Sequence, residues 1–159
     1  MKRAFLTVSF LILMLALSLT LLSCNGDSGE SITLYVYNWG EYISDGSEGT
    51  LDVNAEFERY CREELGMNVK VNYSTFSSNE DMYAKISSGS AVYDVVIPSD
   101  YMIQRMVAEN LLKPLDLSLI PNYAYVSDEF KGENVYYENN SDETYSIPYF
   151  YGMVGVIYN

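Results

Sequence analysis

The stretch Ser31-Ile-Thr-Leu-Tyr-Val-Tyr-Asn38 is rich in β-branched and aromatic residues and predicts a β-strand. Strand patterns and helix patterns then alternate along the chain. The predicted strands are 31–38, 68–76 and 93–97, and the predicted helices are 51–65, 78–86 and 100–110. This alternation predicts an α/β fold with a mostly parallel sheet flanked by helices and with right-handed connections.

Residues at the ends of these segments support the assignment. Gly66 follows the first predicted helix, at a position where glycine commonly ends a helix. Ser78 and Asp81 form a capping-box pattern at the start of the second helix, and Ser99 is the expected N-cap of the third. The remaining segments are 111–143, which is predicted to be irregular, and 145–158, which is predicted to be extended.

The carboxyl ends of the predicted strands are the expected ligand site, because ligands of parallel α/β sheets bind beyond this edge. Trp39, Glu41 and Tyr42 follow the first strand, and Asp100 and Tyr101 follow the third. An aromatic residue therefore stands beside a carboxylate after two of the three strands. Aromatic faces combined with carboxylates suit an organic ammonium ligand.

The N-terminus has the pattern of a bacterial export signal. Lys2 and Arg3 precede an apolar run over residues 10–22, which leads directly to Ser23 and Cys24. This junction resembles the bacterial lipobox, in which the cysteine is lipidated and becomes the first residue of the mature chain. An uncleaved transmembrane anchor is the alternative, since the run is about long enough to span a bilayer.

These patterns divide the chain into three parts. We expect a signal peptide at residues 1–23, a lipidated Cys24 with a short tether at residues 24–30, and a binding domain at residues 31–159. Both interpretations of the N-terminus place the domain outside the cytoplasm. The protein would then reside in the periplasm or on the outer face of the cell membrane, attached through its N-terminal lipid.

Composition argues against several classes of function. The chain has 9 Lys and Arg against 22 Asp and Glu, and a net charge of −13, so it would repel nucleic acid and attract cations. It contains no histidine, and Cys61 is expected to be a buried thiol without a base beside it. No nucleophile–base set, metal-ligand spacing or phosphate loop is visible. We therefore expect no enzyme activity, no metal and no cofactor.

Four motifs resemble the spermidine/putrescine-binding subunits of polyamine ABC importers. They are residues 34–43, 73–85, 93–101 and 145–152, in that order along the chain. The resemblance implies the first lobe of a two-lobed, periplasmic-binding-protein type II-like fold. Since the chain ends at Asn159, we expect an N-terminal fragment without the second lobe.

The resemblance also implies site residues and partners. The ring faces of Trp39 and Tyr42 would contact the polyamine, Glu41 would pair with an ammonium group, and the loop after the third strand would supply Ser99, Asp100 and Tyr101. The expected partners are a polyamine and the permease subunits of an ABC transporter. Gly40 departs from the family pattern, in which many relatives carry a polar side chain.

Two assignments favour structure over function, and two functional alternatives remain. Residues 79–81 are interpreted as a helix start, and residues 149–151 as sheet and hinge packing. The first alternative function is binding of another small solute by the same fold. The second is a surface lipoprotein with no role in transport.

Overall fold

The computed structural model describes residues 31–131, 143–152 and 155. Its sheet has three parallel strands in the order β2-β1-β3. The strands are β1 (Ile32–Trp39), β2 (Val69–Phe76) and β3 (Val95–Val96). β1 and β2 pair along their whole length, so Trp39 and Phe76 lie side by side at the carboxyl end of the sheet.

Three α-helices connect and follow the strands. They are α1 (Val53–Glu64), α2 (Asn79–Ser87) and α3 (Asp100–Ala108), followed by short 3-10 helices at Leu117–Leu119, Pro121–Tyr125 and Asp128–Phe130. A further 3-10 turn at Ser47–Gly49 precedes α1. The predicted α/β class, with a parallel sheet flanked by helices, is confirmed. Every predicted strand and helix is present, and most ends lie within two residues of the prediction.

Local chemistry explains where the helices begin. The Asp52 carboxylate accepts a hydrogen bond from the Ala55 N–H at the start of α1, at 2.9 Å. The Ser78 hydroxyl accepts from the Asp81 N–H at the start of α2, at 3.1 Å, as the capping pattern predicted. α1 ends just before Gly66, which has a φ of +65° that glycine adopts without strain.

β3 is shorter than its predicted range of 93–97, and the reason lies in Asp94. The Asp94 carboxylate accepts the Tyr35 N–H at 2.8 Å, a donor that a longer ladder would give to a backbone carbonyl. Backbone bonds from Asp94 N to Tyr35 O and from Ile97 N to Tyr37 O still hold this segment against β1. The loop after β3 therefore leaves the sheet beside the end of β1.

The core lies where α2 and α3 cover the sheet. Tyr37 and Phe76 from the strands pack with three fully buried methionines from the two helices, Met82, Met102 and Met106. Methionine is flexible enough to fill the irregular space between flat rings and helix backbones. This cluster extends directly to the carboxyl end of the sheet, because Trp39 packs against it.

Cys61 on α1 is buried, which confirms the sequence interpretation. Phe57 and Leu65, four residues to either side on the same helix face, are half exposed. α1 contacts β2 at the edge of the sheet, where the Glu58 carboxylate accepts the Val71 N–H at 2.9 Å. Within the described part of the sheet, this side chain therefore satisfies a backbone N–H on the outer edge of β2.

Residues 143–152 contain no helix or strand, although residues 145–158 were predicted to be extended. The rest of that prediction lies outside the described residues, apart from residue 155. The predicted signal peptide, the lipidated Cys24 and the tether also lie outside them. Among the described helices, none combines the length and the apolarity that crossing a bilayer requires.

Candidate functional site

Trp39 is the last residue of β1. It packs against the core and lies at the carboxyl end of the sheet, where the sequence predicts the ligand site. Its ring centroid lies 4.6 Å from that of the buried Phe76 and 6.2 Å from that of Tyr42. The preceding residue, Asn38, is almost fully buried, and its Oδ1 accepts the Trp39 N–H at 2.7 Å. The ring of Trp39 therefore packs against the buried Phe76 ring, and its backbone N–H is held by the Asn38 side chain.

Tyr42 is half exposed and lies between Trp39 and the segment 143–152. The Tyr149 hydroxyl donates to the Tyr42 carbonyl oxygen at 2.6 Å, and the Phe150 ring lies 5.5 Å from the Tyr42 ring in an edge-on arrangement. We refer to these rings as the aromatic group: Trp39, Tyr42, Phe76, Tyr149 and Phe150. Sequence reasoning assigned Tyr149 and Phe150 to sheet and hinge packing, whereas the structure places both against the predicted ligand loop.

Ser99 and Tyr101 are brought together by a residue that sequence reasoning assigned to a helix start. Asn79 is 4% exposed, and its Nδ2 donates to Ser99 Oγ at 3.0 Å and to Tyr101 Oη at 2.8 Å. Its Oδ1 accepts the Ser99 N–H at 3.1 Å. Ser99 occupies the predicted N-cap position of α3, and its hydroxyl accepts from Asn79 and makes no side-chain capping bond.

Tyr101 makes a second hydrogen bond between the start of α3 and the start of α2. Its hydroxyl donates to Glu80 Oε1 at 3.1 Å, while its ring is half exposed. We refer to these four residues as the polar group: Asn79, Glu80, Ser99 and Tyr101. The polar group joins the first turn of α2 to the loop after β3, which is one of the two loops that the sequence singled out.

The two predicted carboxylates are placed differently from each other. Asp100 Oδ1 accepts the Tyr101 N–H at 2.7 Å, so this carboxylate stabilises the start of α3. Glu41 is exposed, and among the described residues no hydrogen bond or ion pair engages its carboxylate. Glu41 is thus the predicted site residue whose charge is most available to a ligand.

Both groups lie at the carboxyl end of the sheet, because every strand that precedes them is parallel. Aromatic faces attract cations through their ring quadrupoles, and a tyrosine or serine oxygen accepts hydrogen bonds from N–H donors. The arrangement therefore offers ring faces for an apolar or cationic ligand body. It offers oxygen acceptors and an exposed carboxylate for the ends of such a ligand.

Residues 46–159, most of the chain, match the family described as bacterial extracellular solute-binding proteins. The chain belongs to this family. Its relatives are named as binding proteins, which agrees with the prediction that it is not an enzyme.

Individual relatives of this solute-binding protein carry polyamine names. The chain is 33% identical over 142 residues to the spermidine/putrescine-binding periplasmic protein of Escherichia coli (strain K12), an alignment that covers 89% of this chain and 36% of the relative. It is 36% identical over 129 residues to spermidine/putrescine-binding periplasmic protein 1 of Haemophilus influenzae, covering 80% of this chain and 31% of that protein. The chain thus spans about a third of the length of the curated relatives it matches.

A solved structure supports the same fold. The Tp0655 (TpPotD) lipoprotein of Treponema pallidum matches with a TM-score of 0.51 and 36% identity, covering 61% of this chain and 27% of the other. The resemblance to polyamine-binding proteins that the four sequence motifs indicated is confirmed by these relatives.

Proposed function

We propose that this chain supplies one wall of a polyamine-binding cleft in an exported, lipid-anchored protein that delivers its ligand to an ABC importer. The observation that carries the proposal is the position of the aromatic group and the polar group at the same edge of a parallel sheet. Support also comes from relatives named for spermidine and putrescine.

The chemistry of a polyamine matches both groups. Its methylene stem is apolar and would lie against the rings of Trp39 and Tyr42, while its ammonium groups would interact with ring faces and with oxygen acceptors. A hydrogen bond from an ammonium group to a carboxylate is about twice as strong as a neutral one. Glu41, exposed and beside both rings in sequence, is the proposed carboxylate partner.

The N-terminus supplies the proposed route to the membrane. Residues 1–23 would direct export, and Cys24 would carry the lipid. A relative of similar sequence from Treponema pallidum is itself named a lipoprotein, which supports this part of the proposal. Metabolic labelling with a fatty acid tests it: the wild type should be labelled and Cys24→Ser should not, whereas both should fractionate with membranes because an unprocessed chain retains the apolar run over residues 10–22. Labelling of Cys24→Ser would contradict the assignment.

Trp39 allows a direct test of ligand binding, because it is the only tryptophan in the chain. Titration with spermidine should produce a saturable change in tryptophan fluorescence. Titration with 1,8-octanediol, a neutral chain of similar length, should produce little change. A response to the diol equal to the response to spermidine would contradict the amine assignment and favour another solute.

The acidic surface requires a control against nonspecific attraction, since the net charge is −13. At physiological salt, interactions between exposed charges are largely screened beyond a Debye length of about 8 Å, whereas a partly desolvated site is screened much less. The spermidine response should therefore persist at physiological salt, and Mg²⁺ should not reproduce it.

A matched pair of variants separates binding from stability. Tyr42→Ala should weaken spermidine binding, measured by calorimetry, whereas Tyr125→Ala should not, because Tyr125 is 87% exposed and belongs to a 3-10 helix that supplies none of the proposed site residues. Equal effects of the two variants would argue against a ligand site at Tyr42. Absence of any spermidine binding by the wild type would leave two functions to pursue, binding of another small solute and a surface lipoprotein with no role in transport.

A further inference from the structure

Two side chains of the polar group, Asn79 and Glu80, lie in the first turn of α2, whereas their partners Ser99 and Tyr101 lie at the start of α3. The contacts therefore join the starts of two helices that are about 20 residues apart in sequence. Asn79 is buried, and Glu80 is exposed. Neither was expected to contribute to a ligand site.

The hydrogen bonds of Asn79 fix the direction of its amide. The Ser99 N–H can only donate, so the atom that faces it at 3.1 Å must be the carbonyl oxygen Oδ1. Nδ2 then faces the two hydroxyl groups and donates to both, at 3.0 and 2.8 Å. The Tyr101 hydroxyl oxygen thus accepts one hydrogen bond from the buried Asn79 amide.

Glu80 determines where the Tyr101 proton goes. An ionised carboxylate has no proton to give, so the 3.1 Å contact must be a hydrogen bond from the Tyr101 hydroxyl to Glu80 Oε1. The one proton of this hydroxyl is therefore engaged, and Asn79 occupies one of its acceptor positions. What Tyr101 Oη can still offer to a ligand is an acceptor position.

We propose that Asn79 and Glu80 make the candidate site selective for ligands with N–H donors, because together they fix Tyr101 as a hydrogen-bond acceptor. The proposal rests on the proposed function, since it takes the ligand to be an amine. Both are positioning residues that act through Tyr101 and need not touch the ligand. A carboxylate, phosphate or carbonyl group would meet a lone pair where it needs a donor, so the network discriminates against these solutes.

The test compares putrescine with 1,4-butanediol, a neutral chain of the same length, by calorimetry on the wild type and on Glu80→Gln. The glutamine amide is able to donate to Tyr101 Oη, which releases the phenol proton toward the ligand. We expect Glu80→Gln to lower putrescine affinity about tenfold, the cost of losing one hydrogen bond to a charged group, and to leave diol affinity equal or higher.

Asp81→Asn is the matched control for charge. Asp81 is the next residue, is also exposed, and accepts a 3.4 Å hydrogen bond from the Ser77 hydroxyl rather than one from the polar group. It removes the same negative charge from nearly the same place, so any loss of general attraction for the diamine appears in both variants. The additional loss in Glu80→Gln measures the orientation of Tyr101.

A double-mutant cycle with Tyr101→Phe decides whether Glu80 acts through Tyr101. In the Tyr101→Phe background, Glu80→Gln should have no more effect on putrescine affinity than Asp81→Asn has. An undiminished effect of Glu80→Gln in that background, or equal effects of Glu80→Gln and Asp81→Asn in the wild-type background, would overturn this proposal while the proposed function stands. A wild type that binds neither putrescine nor spermidine would overturn the proposed function, and this proposal with it.

Discussion

The aromatic group and the polar group lie at the same edge of the sheet, but different forces hold them. Trp39 rests on Phe76 through tilted ring contacts, which depend on buried area and tolerate changes of shape. The polar group depends on three hydrogen bonds of one buried amide, Asn79, and these depend on direction. We infer from this difference that packing area sets the shape of the candidate site at the aromatic group, whereas hydrogen-bond direction sets the choice of partner at the polar group.

Phe76→Ala should have the largest effect on stability, because Phe76 is the buried ring of the aromatic group. Phe76→Ala leaves a cavity below Trp39 and among the core methionines, because Phe76 is 5% exposed. We expect the free energy of unfolding to fall by about 3–5 kcal/mol, measured by urea titration. Phe57→Ala on α1 is the control, and since Phe57 is 41% exposed its effect should be much smaller.

Phe76→Leu separates the effect of the aromatic ring from the effect of apolar volume in the core. Leucine retains an apolar side chain in the core, so the fold should survive with a modest loss of stability. The ring beneath Trp39 is lost, however, and the fluorescence response to spermidine should weaken. A response identical to that of the wild type would mean that Phe76 supports the core alone and not the site.

Removal of the Asn79 amide breaks the polar group. Asn79→Ala leaves the partly buried Ser99 N–H without its acceptor, and we expect the free energy of unfolding to fall by about 1–3 kcal/mol in urea titrations. Asn79→Asp retains an acceptor for that N–H but places a carboxylate in a site that is 4% exposed and next to Glu80, so it should not be the milder variant. An Asn79→Ala variant as stable as the wild type would show that the Ser99 N–H is not a critical contact.

The aromatic group was largely predictable from the sequence. A tryptophan and a tyrosine that follow a strand rich in β-branched and aromatic residues indicate the ligand-binding end of a parallel sheet, and Trp39 and Tyr42 do lie at that end. Tyr149 and Phe150 were not predictable, because their contact with Tyr42 joins residues more than 100 positions apart. No local pattern reports such a separation.

The polar group shows where sequence reasoning ends. Ser99 and Tyr101 were identified from their place after β3, but Asn79 looks like any polar residue in the first turn of a helix. Its role arises only because α2 and α3 start side by side, which places the amide under the loop after β3. The N-cap position expected of Ser99 is confirmed, but its hydroxyl accepts a hydrogen bond from the Asn79 amide rather than from an N–H of α3.

Another set of contacts between α2 and the end of α3 is exposed and includes an ion pair, in contrast to the buried, uncharged Asn79. The Tyr83 hydroxyl and Arg105 both hydrogen-bond the Glu109 carboxylate, at 2.5 and 3.0 Å, and Arg105 stacks on the Tyr83 ring. These contacts, the Tyr83 hydrogen bond above all, hold the pKa of Glu109 below its usual value of 4.5. A carboxyl group with a lowered folded-state pKa stabilises the fold above its usual pKa, and this contribution is lost as the pH falls through the lowered value.

Glu109→Gln should therefore lower the urea midpoint slightly at neutral pH, and the difference from the wild type should shrink as the pH falls below 4.5. High salt should also reduce it, because surface ion pairs contribute little and are screened. The loss caused by Asn79→Ala should not depend on salt, since a buried amide carries no charge. If the stability lost in Asn79→Ala were restored in high salt, the Asn79 contacts would depend on charge, as the Glu109 contacts do.

Gly40 offers the smallest perturbation and tests whether the aromatic group leaves room for a polar side chain. A Cβ atom at Gly40 would have no neighbour within 4 Å, so Gly40→Ser should change the free energy of unfolding by less than about 0.5 kcal/mol. Gly46→Ser is the matched control, because Gly46 has a φ of +85° and its Cβ would meet Asp52 at 3.2 Å. That variant should be destabilised in the same urea titration. If Gly40→Ser leaves stability unchanged and tightens spermidine binding, a hydroxyl between Trp39 and Glu41 reaches the ligand. If it leaves binding unchanged as well, the ligand contacts this loop through its rings and the Glu41 carboxylate, and the directional hydrogen bonds of the site come from the polar group.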